Sequence, residues 1–167
     1  MIDMKVLSAN KFRNHGLLLL RVGIGVMFVM HGYPKITGGP EKWAQIGGAI
    51  SYLGINFAPA FWGFMAASSE FFGGFFLIFG FLFRPAAAML LIVMVTAVAM
   101  HLGSGDDLMR ASHAIESGIL FLGLIFIGPG RFSVDELFSP GKSPAFDEED
   151  AGCSDSGHHN HRNRIPA

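Results

Sequence analysis

Seven residues with chemically useful side chains lie inside or at the ends of strongly apolar runs: Arg21, His31, Lys35, Glu70, His101, His113 and Glu116. Charge within a membrane span is expensive, and such residues pair, face a bundle interior, or line a path for a ligand or proton. A carboxyl at Glu70 or Glu116 must be paired, hydrogen-bonded or protonated, because an isolated buried carboxylate is too costly. Glu70, Glu116 and His31 are therefore the candidate acid–base set. Arg21, His31, Lys35, His101 and His113 are the candidate residues for holding a cofactor or ligand. Arg21 has two readings: it pairs with Glu70 or another bundle group, or its long stem snorkels to the headgroups. Lys35, one turn after His31, either adds charge to a chamber mouth or anchors its helix.

His31, His101 and His113 together with Glu116 have the chemistry of metal ligands. The compact spacing of a local metal motif is absent, and only His113 and Glu116 are assured neighbours, one helical turn apart. The metal assignment is left open. A hydrogen-bonded site for a quinone head, a small solute or a proton relay suits these residue types better than a metal or haem.

The elements that must position these groups follow from composition. Of 167 residues, 51% are hydrophobic and 15% charged, with a mean hydropathy of +0.44. Soluble domains carry about a quarter charged residues. The apolar residues cluster in four segments, Leu17 to Met30, Ala60 to Phe83, Pro85 to Met100 and Ile115 to Ile127. A span takes roughly 20 residues, so three of these segments recruit flanking positions. Four transmembrane helices in an all-α, up-down bundle are expected. The alternative is three spans behind a cleaved leader, but His31-Gly32-Tyr33-Pro34-Lys35 offers no small-residue cleavage site after the first run.

The first span is expected from about Leu17 to Lys35. Gly38-Gly39-Pro40 breaks the chain, and Trp43, Ile46, Ala49, Ile50 and Leu53 then recur at the spacing of a short amphipathic surface helix. The second span runs from near Pro59 to Phe83. Arg84-Pro85 turns into the third, which reaches about Leu102. The fourth starts near Met109 and stops at Gly128-Pro129-Gly130. Ser133 and Glu136 have capping-box spacing, which predicts one more helical turn. Domain organisation is read as a transmembrane unit over 1–138 and a disordered polar cytoplasmic tail over 139–167, with His158, His159 and His161 in the tail.

Lys5, Lys11, Arg13, Arg84 and Arg131 fall on one side of the bundle, so the positive-inside rule puts both termini in the cytoplasm. His31, His101 and His113 then lie near the outer face, Glu116 about 8–10 Å below it, Glu70 near mid-membrane and Arg21 toward the inner side. The expected product is one outward-opening polar chamber, floored by Glu70 and partly covered by the segment from Lys42 to Leu53. The stripe Gly63, Ala66 or Ala67, Glu70, Gly73 or Gly74, and Leu77 allows close helix contact. Arg21 with Gly25 and Gly32, and His113 with Glu116, Ser117, Leu120 and Gly123, form similar stripes. A net charge of -1 without a basic run gives no sign of a nucleic-acid partner, and the single cysteine, Cys153, excludes dithiol chemistry within one chain.

The pieces Arg21-Val22-Gly23 to Phe28, His31-Gly32-Tyr33-Pro34-Lys35, Glu70-Phe71-Phe72-Gly73-Gly74, Gly80-Phe81-Leu82-Phe83-Arg84-Pro85-Ala86-Ala87 and Gly128-Pro129-Gly130-Arg131-Phe132-Ser133-Val134-Asp135 occur in order. Across residues 17–138 the chain resembles the DoxX family of small four-helix bacterial membrane proteins. The resemblance implies a cytoplasmic (inner) membrane location and a role in redox work, including quinone-linked thiosulfate oxidation and complexes that handle oxidative or thiol stress. It carries Arg21, His31, Lys35, Glu70 and Glu116 over as a polar core. If the chain is catalytic, it would be a quinone-linked oxidoreductase component whose redox or stress-response partners supply the thiol chemistry. Two other classes stay open: a small-solute permease, which with four spans would need to be a homo-oligomer, and a non-catalytic membrane scaffold. Lipid is a partner in every reading.

Overall fold

A computed structural model describes residues 10–138. The first nine residues, with Lys5, and the predicted polar tail, with Cys153 and its histidines, lie outside the described residues. The chain forms α1 (Asn10–Ile36), α2 (Gly39–Gly47), a 3-10 helix (Gly48–Leu53), α3 (Pro59–Phe79), α4 (Phe83–Gly103), α5 (Leu108–Ile127) and α6 (Val134–Phe138). Four of these helices are long and apolar enough to cross a membrane: Phe12–Ile36 within α1, Pro59–Phe79, Phe83–Gly103 and Leu108–Ile127. The four expected spans and the short helix after the first are all present. We call the end of the bundle where α1 starts proximal and the opposite end distal.

Small residues set the helix order. α1 packs chiefly on α3, and α4 on α5. A Cβ at Gly32 would lie 2.5 Å from the backbone nitrogen of Phe71, and one at Gly25 would lie 2.7 Å from the carbonyl of Gly74. Gly25 opposite Gly74, and Gly32 opposite Phe71, run in opposite directions, so α1 and α3 are antiparallel with touching backbones. Leu77, Phe83, Leu90, Phe121 and Leu124 fill the centre, and Phe28 meets Phe121 edge-to-face at 4.9 Å between ring centroids. Most remaining large apolar side chains, such as Leu19, Phe61, Val95 and Phe126, point outward, as helices dissolved in lipid require.

Helix lengths do not match at the distal end. Gly32 is level with Glu70 and Phe71, so α1 has about one turn left there, whereas α3 continues for about 16 Å. The segment 39–53 fills this shortfall. Gly47 of α2 meets Gly63 of α3 so closely that a Cβ on either would strike the other helix's backbone. Trp43 stacks edge-on against Phe64 at 4.9 Å and donates its indole N–H to the Lys35 carbonyl at 3.0 Å. A nine-residue helix and a 3-10 turn cover less of α3 and α4 than a full span would. The uncovered space becomes a cavity.

At the proximal end, the chain after α5 folds back. Ser133 Oγ accepts from the Glu136 N–H at 3.3 Å, the cap expected from their spacing, and starts α6.

Candidate functional site

The cavity has a volume of about 500 Å³ and lies between α2, the 3-10 helix, α3 and α4. Its wall is mostly apolar, from Ile46, Ile50, Met65, Ile92, Val93 and Met100, with Trp62 beside them. Polar atoms come from Lys35, Ser69, Glu70, Thr96 and His101. The Ser69 and Thr96 hydroxyls donate to their own helices, at Met65 and Ile92. Lys35 and His101 keep hydrogen-bonding capacity beyond their protein partners, and the Trp62 indole N–H, buried in the wall, has no partner among the described residues.

Glu70 is 4% exposed, midway along α3, because Gly74 and Gly32 let the backbones of α3 and α1 touch, while Gly73 receives the Leu90 side chain of α4. Lys35 Nζ donates to both of its carboxylate oxygens, at 2.7 and 2.6 Å. The pair is asymmetric: the lysine side chain is 33% exposed and the carboxylate 5%. Its attraction therefore acts in a half-dry setting, where charge-assisted hydrogen bonds exceed neutral ones.

Across the cavity, His101 Nδ1 lies 2.8 Å from Asp106 Oδ2, and Arg110 Nη1 donates to Asp106 Oδ1 at 3.0 Å. The His101 hydrogen bond holds the Asp106 carboxyl below its ordinary range; partial burial opposes this and Arg110 adds to it. The Tyr52 hydroxyl and Ser104 Oγ are hydrogen-bonded at 3.1 Å, with the Ser104 proton given to the Met100 carbonyl at 2.7 Å, which ties the 3-10 helix to the end of α4. Asp106 and Arg110 are not among the candidate residues read from the sequence. The spacing Asp106 to Arg110, one turn across a helix start, was the available signal.

The remaining sequence candidates lie elsewhere, and the single expected chamber divides into three places. Arg21 is 1% exposed at the proximal end and does not meet Glu70. Its guanidinium donates to the carbonyls of Leu77, Ile78, Pro129 and Phe132. Leu77 and Ile78 lie in the last turn of α3, where carbonyls lack intrahelical partners, and Pro129 and Phe132 lie in the chain after α5, so Arg21 ties both to α1. Asp135, which sequence reasoning passed over, completes this knot: its carboxylate accepts from the N–H groups of Leu82 and Phe83, both at 2.9 Å. That binding caps α4 just where Leu82 takes a left-handed φ of 44°.

His31, His113 and Glu116 are exposed on the outer face of α1 and α5, away from the cavity. The rings of His31 and His113 are 6.1 Å apart. Among the described residues, no three His, Cys, Asp or Glu side chains gather closely enough to hold a metal ion.

The profile of the DoxX family matches residues 16–102, just over half of the chain. The chain belongs to the DoxX family. It is a multi-pass inner-membrane protein, in contact with lipid. It is 28% identical over 134 residues to "Inner membrane protein YqjF" of Escherichia coli (strain K12), covering 77% of this chain and 96% of that one. It is 30% identical over 89 residues to "Putative oxidoreductase CatD" of Bacillus subtilis (strain 168), covering 53% of this chain and 61% of that one. No solved structure matches the chain at a significant level. The matched region holds Arg21, His31, Lys35, Glu70 and His101, whereas the longer alignment to the Escherichia coli protein spans most of the bundle.

Proposed function

We propose that this DoxX-family protein is a subunit of a membrane redox or stress-response complex whose cavity receives the head of a quinone from the membrane. The observation that carries this reading is an apolar cavity of about 500 Å³ with the Lys35–Glu70 pair in its wall. Small-molecule sites run from roughly 300 to 1,000 Å³ and combine apolar lining with a few convergent polar groups. The donor set fits: a quinone offers a flat apolar ring with carbonyl acceptors at its ends. Lys35 Nζ has donor capacity left for one carbonyl, and His101, whose Nδ1–H is given to Asp106, offers Nε2 as an acceptor for the hydroxyl of the reduced, quinol form. When bound, a quinone would supply two-electron acceptor chemistry. Lys35 would hold a carbonyl oxygen, while Glu70 would keep that ammonium oriented. The apolar wall would exclude water from the ring. With both termini cytoplasmic, as the Lys and Arg distribution favours, the cavity would open toward the outer face. Electrons would come from a partner protein, so any catalysis belongs to the complex.

The chain has two tryptophans, and Trp62 lines the cavity. In Trp43→Phe protein in detergent, a short-chain ubiquinone should quench Trp62 fluorescence saturably. Lys35→Met should weaken that binding about tenfold, the value of one charge-assisted hydrogen bond. Non-saturable quenching equal in both proteins, with no quinone in the organic extract of the purified protein, would sink the proposal.

A further inference from the structure

Glu116 lies about 12 Å along α5 from its distal start, well inside a span, yet its side chain is exposed. No hydrogen bond to Glu116 forms among the described residues. A carboxyl facing lipid at that depth is costly, and intramembrane acids almost always face protein, water or a partner. Something other than lipid tails must cover this face.

The spacing around Glu116 suits a second helix as the cover. Met109, His113, Glu116, Leu120, Gly123 and Ile127 follow one another at steps of four, three, four, three and four. That 3.5-residue period is the seam of a coiled coil, in which two helices pack side by side at a shallow angle. Much of the seam is unfilled by its own chain: Met109 and Ile127 are 77% and 63% exposed, and a Cβ on Gly123 would meet nothing within 4 Å, while Leu120 is only partly turned in against the bundle's own core. It also differs from the stripe that α5 buries against its own bundle, which holds Ala111, Ala114, Gly118 and Phe121.

We propose that α5 pairs with α5 of a second copy, forming a two-fold homodimer held by reciprocal His113–Glu116 hydrogen bonds. The face is self-complementary, as an isologous interface demands. It carries an acceptor, Glu116, and a donor, His113, one turn apart and about 4.5 Å different in depth. Two copies in one membrane share the same orientation, so the two-fold axis lies along the membrane normal and their α5 helices run parallel. Each Glu116 then meets the partner's His113 diagonally, twice per dimer. His31 stands against His113 with ring centroids 6.1 Å apart, which gives each acid a second donor nearby. Gly123, farther along the seam, lets the two backbones approach where no side chain intervenes. The pairing does not depend on the cavity reading, since no seam residue lines the cavity.

The test uses full-length protein in native membranes and in detergent. In a Cys153→Ser background, Met109→Cys and Ile127→Cys should each form a disulfide-linked dimer under mild oxidation, because residues of equal depth meet. Ile92→Cys, 65% exposed on α4, should stay monomeric. By native mass spectrometry, Glu116→Leu and His113→Leu should each weaken the dimer roughly tenfold, the value of a polar contact between spans. Glu116→Gln should retain most of it, and the exchange His113→Glu with Glu116→His should restore it. A monomer at every loading, with Glu116→Leu raising the melting temperature, would overturn the proposal, because it would mean that this face meets lipid. Ile92→Cys cross-linking as readily as Met109→Cys would overturn it too.

Discussion

The partner chosen by Glu70 decides what the centre of the molecule can do. The sequence offers Arg21 as a partner and reads Lys35 only as charge at a chamber mouth or a helix anchor, because the register of α1 on α3 is not a local signal. The structure gives Glu70 to Lys35 at 2.6 Å and spends Arg21 on four backbone carbonyls at the other end. Arginine suits that second task, since its planar fork satisfies several acceptors at once. Lysine suits the first, as a compact ammonium with donors to spare for a guest. Removing the lysine strands an almost buried carboxylate. Lys35→Met should therefore destabilise the protein by about 2 kcal/mol, between the exposed-pair and buried-pair limits, because the lysine end is partly wet. The double variant Lys35→Met with Glu70→Gln should recover most of that loss. Thermal melting of the purified protein reads both, and equal destabilisation of single and double variants would show that the pair is not what holds Lys35.

At the scale of elements, the glycine contacts between α1 and α3 carry the site. Gly32 brings the α1 backbone against Glu70 and Phe71, and one turn later Lys35 arrives at the carboxylate. A methyl group there would sit 2.5 Å from the Phe71 nitrogen, backbone that cannot step aside. Gly32→Ala should cost about 1–3 kcal/mol, as overpacking does, and should weaken quinone binding with it. Gly23→Ala is the control, since a Cβ there meets nothing within 4 Å and alanine favours helix by roughly 1 kcal/mol. A melting temperature that falls in Gly32→Ala and holds or rises in Gly23→Ala checks the contact.

These elements also mark where sequence reading succeeds and stops. The spans were legible because hydropathy and breakers such as Gly128-Pro129-Gly130 are local signals. The inward face of α3 was legible because Gly63, Ala67, Glu70, Gly73, Gly74 and Leu77 coincide on one stripe. The rotation of α5 was not legible. It has two stripes that satisfy helical spacing, Ala111-Ala114-Gly118-Phe121 and His113-Glu116-Leu120-Gly123. The ordinary expectation that polar residues face inward selects the second, whereas the bundle buries the first. The site at the distal end was legible only in part. Its Glu70, Lys35 and His101 were named, but the cavity arises from α1 ending beside Glu70, a difference in length that hydropathy does not register.

Taken as a whole, the molecule is built unevenly from end to end. The proximal end is a closed knot, in which Arg21 and Asp135 satisfy the loose ends of α3, α4 and the chain after α5. The distal end is held by a 3-10 helix with no buried residue, by the Tyr52–Ser104 contact and by the Asp106 clasp on His101 and Arg110. Short 3-10 segments have weaker hydrogen-bond geometry than α-helices, and regions with few buried contacts open first. A guest for the cavity would therefore pass where the segment 48–57 lifts, with the proximal knot unmoved. Hydrogen exchange read by mass spectrometry should show residues 48–57 exchanging at least about tenfold faster than residues 128–135. Acid should widen the difference, after allowance for the slower chemical exchange. The Asp106 carboxyl titrates below its ordinary value of 3.8 in the folded protein, so the stability it contributes is fully present above that value. It is lost as pH falls through the lower folded value. The clasp thus stays shut at neutral pH and releases only in strong acid, and Asp106→Asn should open the segment at neutral pH to the same degree. Equal protection of the two segments, unchanged by Asp106→Asn, would mean that the distal end is as fixed as the proximal one and that the cavity fills by another route.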